Sequence, residues 1–351
     1  MILIDDLGLT DLQAFGGEID TPNMDALANE GMMFTNYHTT SECAPSRAML
    51  LTGMDNHNTG LPMIPEVLPW KYHDTPGYEG YLRDDALTIA EMLKPAGYKT
   101  YMTGKWHLAF GGRETAALPH NRGFDKTFIL DATGGNNFNH HSYLPYYSES
   151  PWFKNGQETE LPKDFYSSEF FVDQMIEFID EDITDEAPFF SYVSFQAQHI
   201  PLQAPQEFID KYLDTYKAGW HALREKRKKQ AVENGIFPSD KEIVDSLSSF
   251  DSWSEINEED KKILVKSMAV FAGMLDAMDF HIGRLIAYLK EQGLYENTIF
   301  IVTADNGPEG NDPSEHEAWR NWLKTTSYNR DYETLGGDCL LYTSDAADEH
   351  T

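Results

Sequence analysis

The sequence predicts an α/β fold, a mostly parallel central sheet flanked by helices. Three observations carry this. Short apolar runs alternate with helical stripes along the chain; those runs are rich in aromatic and β-branched residues; and several end in polar side chains able to do chemistry. In such sheets ligands gather beyond the carboxyl ends of the strands, so those polar ends are where a site is to be sought.

The elements follow in order. Met1 to Ile4 is an apolar run that stops at Asp5-Asp6. Thr21, Pro22 and Gly31 punctuate a short helix, as N-cap, first helical residue and exit. Ala86 to Leu93 reads as helix and Lys99 to Thr103 as strand, leading into Gly104-Lys105-Trp106-His107. Over residues 168–182, Phe171, Met175, Phe178 and Ile179 share one helical face. Pro188 opens a buried strand from Phe189 to Phe195, and His199 follows it. The longest stripe, from Met268 through Phe271, Leu275, Met278, Ile282 and Leu285 to Leu289, is stopped by Gly293. A further buried strand, Thr298 to Thr303, leads into Asp305-Asn306-Gly307. Four polar groups thus stand just past predicted strands, which predicts one site assembled from distant segments. Residues 214–262 break the pattern: they are highly charged, strongly basic from Arg224 to Lys229, and predict a helical insertion on the surface.

The bulk numbers narrow the function. A chain of 351 residues that is 41% hydrophobic can bury a substantial core, and no Pro/Ser-rich linker divides it, which predicts one large domain. With 27 basic against 58 acidic residues the net charge is −31. Such a surface repels nucleic acid and anionic membranes, so neither is an expected partner. It also repels an anionic substrate, so an anion site needs its own local cations. Cys43 and Cys339 are too few for a disulfide scaffold. No apolar run reaches the ~18 residues of a membrane span, and Asp5-Asp6 interrupts the apolar start too early for a signal peptide.

The sharpest motif is Cys43-Ala44-Pro45-Ser46-Arg47. A cysteine opening a helix faces unpaired N–H groups and the positive end of the dipole, which suit a thiolate or a bound oxyanion. Arg47, one turn on, can neutralise what is made there. Alone, the segment is equally a buried cysteine beside a helix-capping proline. It resembles the Cys-x-Pro-Ser-Arg signature of the type I, formylglycine-dependent sulfatases of the alkaline-phosphatase superfamily. Asp5-Asp6 and Asp305-Asn306 resemble that family's two metal pairs, Gly104-Lys105-Trp106-His107 its Gly-Lys-x-His segment, and His199-Ile200-Pro201 its His-x-Pro segment. The resemblance spans roughly residues 1 to 336, with the motifs in family order.

The resemblance implies an arylsulfatase-like sulfuric ester hydrolase. Cys43 would be oxidised to formylglycine by a formylglycine-generating enzyme. Asp5, Asp6, Asp305, Asn306 and residue 43 would hold one divalent cation, for which hard oxygen ligands suit Ca²⁺, with Mg²⁺ as the alternative. One hydroxyl of the hydrated aldehyde, deprotonated with help from Asp305, would attack sulfur while Arg47 and Lys105 stabilise the sulfuryl charge. His199 would assist the leaving alcohol, and His107 would take the proton of the second hydroxyl to expel sulfate. A serine ester has no second hydroxyl, so Cys43→Ser is expected to stall as sulfated enzyme. Phosphonate monoester and phosphodiester hydrolases share this nucleophile and form the competing enzymatic reading; a non-catalytic fragment is the competing reading from another class. Sulfated glycans, aryl sulfates and sulfated lipids all stay open as substrates. The family resemblance implies a periplasmic or secreted location, while cytoplasmic members exist.

The sequence also departs from the family. Its first strand is short, and the sulfate-contacting lysine that follows the second metal pair has no anchoring motif, Lys324 being the nearest candidate. These departures predict an incomplete catalytic domain over 1–337 without the smaller C-terminal subdomain; Tyr332 to Gly336 still resembles family sequence while Asp338 to Thr351 does not, which predicts a foreign tail over 338–351. Missing edge strands would leave sheet edges and apolar faces uncovered.

Overall fold

The computed structural model describes residues 1–72, 75–143, 145–184, 187–239, 252–308, 317–323, 325–326 and 331–337. Lys324, Cys339 and the 338–351 tail lie outside the described residues. The chain divides into two compact units, each gathered from separate segments. The first comprises Met1–Asp5, His38–Gln196 and Arg284–Asn306; the second comprises Asp6–Tyr37, Ala197–Gly283 and Gly307–Thr351.

The strands are β1 (Ile2–Ile4), β2 (Lys99–Lys105), β3 (Lys126–Leu130), β4 (Trp152–Lys154), β5 (Gln157–Glu158), β6 (Phe189–Ser194) and β7 (Val302–Ala304). The helices are α1 (Pro22–Glu30), α2 (Cys43–Thr52), α3 (Asn56–Thr59), α4 (Ile89–Leu93), α5 (Ser167–Glu181), α6 (Gln206–Ile209), α7 (Gly219–Glu233), α8 (Glu258–Glu291) and α9 (Glu317–Leu323).

The seven strands of the described residues belong to the first unit and form one sheet in the order β5-β4-β3-β2-β6-β1-β7. From β3 to β7 every pairing is parallel; β4 and β5 close one edge as an antiparallel meander. The predicted mostly parallel α/β sheet is therefore the observed one. Alternation along β2 divides the core in the usual way, successive side chains pointing to opposite faces. Met102 joins Ala44, Ala48 and Leu51 of α2, together with Leu3, Trp106, Ile129 and Tyr192, in one buried cluster. Tyr101 instead meets Phe178 of α5, whose Phe171 packs on Phe128 and Phe195. Gly104 sits at φ +100, and a Cβ there would lie 1.8 Å from the Ser194 carbonyl oxygen. Only glycine lets β2 run this close to β6 where Lys105 emerges.

Two boundaries differ from expectation. Helix α4 starts at Ile89, not Ala86, because Thr88 and Glu91 form a capping box: the Thr88 hydroxyl accepts from the Glu91 N–H at 3.1 Å, and the Glu91 carboxylate accepts from the Thr88 N–H at 2.8 Å. Strand β7 is only three residues long and lies at the sheet edge, so the run expected to be buried leaves Ile299 86% and Ile301 47% exposed.

In the second unit, Thr21 precedes α1 as predicted but does not cap it; its hydroxyl donates to Asp25 at 3.1 Å. The carboxylate of Asp279, on α8, accepts instead from the Asn23 and Met24 N–H groups at 3.0 and 2.8 Å. A partner 255 residues away thus satisfies the helix start. Gly31 ends α1 at φ −116, outside the left-handed region. The basic segment expected on the surface is α7, and one face of it is buried: Trp220, Leu223, Arg227 and Ala231, at helical spacing. Residues 240–251 of the expected insertion lie outside the described residues, and 258–262 belong to the first turns of α8.

Candidate active site

In the first unit, Asp5 follows β1, Lys105 closes β2 and leads to His107, Ser194 ends β6 and Asp305 follows β7. These strands are parallel neighbours, so their carboxyl ends converge, and α2 presents Cys43 in its first turn at the same place. The site predicted from scattered segments assembles for Asp5, Cys43, Arg47, Lys105, His107 and Asp305. All six are buried. Asn306, next to Asp305, has its N–H bonded to the Asp305 carboxylate at 2.9 Å. Asp6 and His199 fall in the second unit, where His199 Nε2 lies 3.7 Å from an Asp6 carboxylate oxygen and His199 Nδ1 lies 2.7 Å from the Ile200 carbonyl oxygen.

Arg47 organises the charges. Its Nε donates to Asp305 at 2.8 Å, and its Nη2 lies 2.8 Å from Asp305 and 3.2 Å from Asp5. Its Nη1 donates to the Lys105 carbonyl at 2.8 Å and to Ser194 Oγ at 2.6 Å. Lys105 Nζ donates to the other Asp5 oxygen at 2.6 Å. Two cations thus face two carboxylates, all four buried. Burial disfavours both positive charges, but Asp305 and Asp5 outweigh it at Arg47, and Asp5, Cys43 and Asp305 outweigh it at Lys105, so both pKa values rise. Burial and the neighbouring Asp5 push the Asp305 carboxyl up to about 6.

A second set of contacts runs through His107. Its Nδ1 lies 3.3 Å from Cys43 Sγ, and its Nε2 lies 2.9 Å from Glu66 Oε2. The other Glu66 oxygen accepts from the Thr133 N–H at 3.2 Å and the Tyr147 hydroxyl at 2.9 Å. Burial pushes the Glu66 carboxyl up, yet the charge and hydrogen bond of His107, with the Tyr147 bond, hold it down at about 2. Burial lowers the His107 pKa, helped by Lys105 and Arg47 and opposed by Glu66, so the imidazole is neutral and the carboxylate ionised at neutral pH. The backbone beyond His107 is held by Asp131, which follows β3: its carboxylate accepts from the Leu108 and Ala109 N–H groups at 3.1 Å each and from Gly112 at 2.6 Å.

Glu66, Tyr147 and Asp131 have no counterpart among the residues expected from sequence. Asp131 stands just past a strand, the same signal that marked the others. Glu66 sits on a 3-10 turn, Pro65–Val67, in an irregular segment without periodicity. A single acid between Ile64 and Val67 was its only trace.

One ligand atom each from Asp5, Cys43 and Asp305 lie within 4.8 Å of one another, all three residues buried. Arg47 and Lys105 already balance the two carboxylates, so the case for an ion rests on the donors themselves: two carboxylates this close fit a divalent ion bound by oxygen once the side chain at 43 carries oxygen.

The sulfatase family model matches residues 1–345. An uncharacterized sulfatase of Schizosaccharomyces pombe is 39% identical over 325 residues, covering 88% of this chain and 57% of that protein. The arylsulfatase of Klebsiella aerogenes is 35% identical over 346 residues, covering 96% of this chain and 71% of that enzyme. The crystal structure of Ps i-CgsB superposes with a TM-score of 0.61 at 27% identity, covering 88% of this chain and 58% of that one. The chain therefore spans between 57% and 71% of the length of the two curated relatives. With Cys43, Arg47 and the acidic pair in one buried cluster and a match that runs from residue 1 to 345, the chain belongs to the sulfatase family.

Proposed function

We propose that this chain hydrolyses sulfate esters, aryl sulfates among them, through a formylglycine made from Cys43. The observation that carries the reading is the close packing of Cys43 with Asp5 and Asp305 inside a ring of Arg47, Lys105 and His107. The kinship to an arylsulfatase of 35% identity supports sulfate over phosphonate as the group attacked.

Asp5, Asp305 and Asn306, with residue 43, would hold one divalent cation, Ca²⁺ or Mg²⁺; Asp6 is added on the sequence motif alone. The ion would supply positive charge toward the sulfuryl oxygens and favour ionisation of the attacking hydroxyl. The chain's own residues account for the rest. Asp5 and Asp305 formally balance Arg47 and Lys105, so a bound divalent ion leaves a local surplus of positive charge in a molecule of net charge −31. That surplus answers the need for local cations around an anionic substrate. Arg47 and Lys105 would stabilise sulfuryl charge as the ester bond breaks, from positions fixed before the substrate arrives. His107 would take the proton of the second hydroxyl at residue 43, and His199, again on its motif alone, would give a proton to the departing alcohol. The hydrated aldehyde supplies both hydroxyls: one to form the bond to sulfur, one to collapse back to the aldehyde as sulfate leaves.

Parallel assays on an aryl sulfate and an aryl phosphonate monoester, with Ca²⁺ and with chelator, test the reading. Faster sulfate turnover that requires the cation is expected. Faster phosphonate turnover would replace the substrate class, and no turnover on either, despite stabilisation by Ca²⁺, would favour a binding fragment.

A further inference from the structure

The line of contacts behind Cys43 has a direction that the proposed chemistry needs and that its own residues impose. Glu66 Oε1 is already engaged by two donors, the Thr133 N–H at 3.2 Å and the Tyr147 hydroxyl at 2.9 Å. Neither donor has an alternative acceptor role here: a backbone N–H can only donate, and a phenol facing a carboxylate donates. Glu66 Oε2 is the oxygen left for His107 Nε2, at 2.9 Å. An ionised carboxylate only accepts, so the Nε2 nitrogen must carry the proton, and in the neutral ring Nδ1 then presents its lone pair to the residue-43 side chain 3.3 Å away. Room for the Tyr147 ring is built in: a Cβ on Gly111, which stands at φ +67, would lie 2.4 Å from Tyr147 Cε1.

We infer that Glu66, held by Tyr147 and Thr133, is a positioning residue that fixes the Nε2–H tautomer of His107 and so makes Nδ1 the base facing residue 43. The inference rests on the sulfatase reading for its catalytic meaning, and on the contact geometry around a neutral imidazole and an ionised carboxylate for the tautomer. In the release step, Nδ1 takes the hydroxyl proton of residue 43, the O–H electrons become the second bond of the aldehyde C=O, and the C–O bond to the sulfate group breaks, its electrons leaving with sulfate. An imidazole protonated at Nδ1 has no lone pair there and cannot take that proton.

Glu66→Gln tests this with an isosteric side chain. Thr133 and Tyr147 both donate toward Oε1, so the amide oxygen takes that position and the amide NH₂ points at His107 Nε2. The ring must then accept at Nε2 and move its proton to Nδ1, the wrong tautomer. Nitrogen NMR of His107 in the unmodified, metal-free Cys43 protein reads the tautomer directly, without turnover. The expected result is Nε2–H in the parent and Nδ1–H in Glu66→Gln. In formylglycine-bearing enzyme the same variant should lose kcat by roughly 10³- to 10⁴-fold, as when a carboxylate that orients a base becomes an amide. Peptide mass spectrometry during turnover should show sulfate retained on residue 43. Tyr147→Phe removes one donor and leaves the carboxylate, so it should keep the parent tautomer and lose kcat by less than about tenfold. A parent with Nδ1–H, or a Glu66→Gln variant with an unchanged tautomer, overturns the inference. Absence of aryl sulfate turnover by the modified parent overturns the sulfatase reading instead, while the tautomer still decides the role of Glu66.

Discussion

Each unit buries one arginine between two carboxylates, and the two clusters behave differently. In the first, Arg47 bridges Asp5 and Asp305; in the second, Arg227 bridges Asp11 at 2.5 Å and Glu18 at 2.7 Å. Around Arg227 the remaining donors close the set: Tyr216 Oη to Glu18 at 2.8 Å and the Gly8 N–H to Asp11 at 2.8 Å. That arrangement is a clasp between α7 and the segment before α1. Around Arg47 stand a second cation, Lys105, and a cysteine backed by an imidazole, Cys43 and His107. A buried arginine with two acids is therefore no mark of a site by itself. The added cation and the cysteine with an imidazole beside it distinguish the first cluster from the second.

The largest expected effect separates the two by chemistry. Cys43→Ala should abolish sulfate ester turnover, and Cys43→Ser should retain at most one turnover per chain and hold sulfate on the serine, measured by burst kinetics and peptide mass. Repeated turnover by Cys43→Ser at the parent rate would break the account of why the nucleophile is made from cysteine. Next comes stability. Arg227→Met leaves Asp11 and Glu18 buried without their cation and should cost about 3–5 kcal/mol in denaturant unfolding. Arg47→Met strands one acid, Asp305, while Lys105 stays beside Asp5, so it should cost less stability while lowering kcat/KM by at least about 10². Equal stability losses in the two variants would erase the distinction.

The smallest effect is in pH, where the two units should slope in opposite directions. Glu66 is held at about 2 against an ordinary 4.5, so the folded state binds its proton less readily than the unfolded chain. Its contribution is present above pH 4.5 and is lost as pH falls toward 2, about 3 kcal/mol in all. Burial pushes the Asp11 carboxyl up to about 6, against Arg227 and with Glu18, so there the folded state holds the proton more tightly. Its contribution is present below pH 3.8 and is lost as pH rises through about 6, again about 3 kcal/mol. Unfolding curves of Glu66→Gln and Asp11→Asn against the parent, across pH 3 to 7, isolate each slope. Slopes of the same sign would show that the two carboxyls are not held as described.

Much of this site was legible because its residues sit where strands end and helices start. Apolar runs stopping at Asp5, Lys105 and Asp305 mark three of its walls, and the cysteine motif places Cys43 one helical turn from Arg47. What stayed hidden depends on partners remote in sequence. Glu66 lies on an irregular turn as one acid among 58 acidic residues, and its role appears only when His107 is beside it. Arg227 reads as part of a solvated basic run until Asp11 and Glu18 meet it. The Thr298–Thr303 run carries the composition of a buried strand, but burial depends on having a strand on each side, and among the described residues β7 has one neighbour. Likewise Thr21 has the chemistry of an N-cap, yet Asp279 takes that place from a distant helix.

Peptide mass spectrometry across Cys43 decides whether that residue is the precursor of the nucleophile. The protein is co-expressed with an active formylglycine-generating enzyme, and the peptide carrying residue 43 is weighed. The expected mass is that of the aldehyde or its hydrate in place of the thiol; an unmodified thiol under those conditions would contradict a nucleophile made from Cys43.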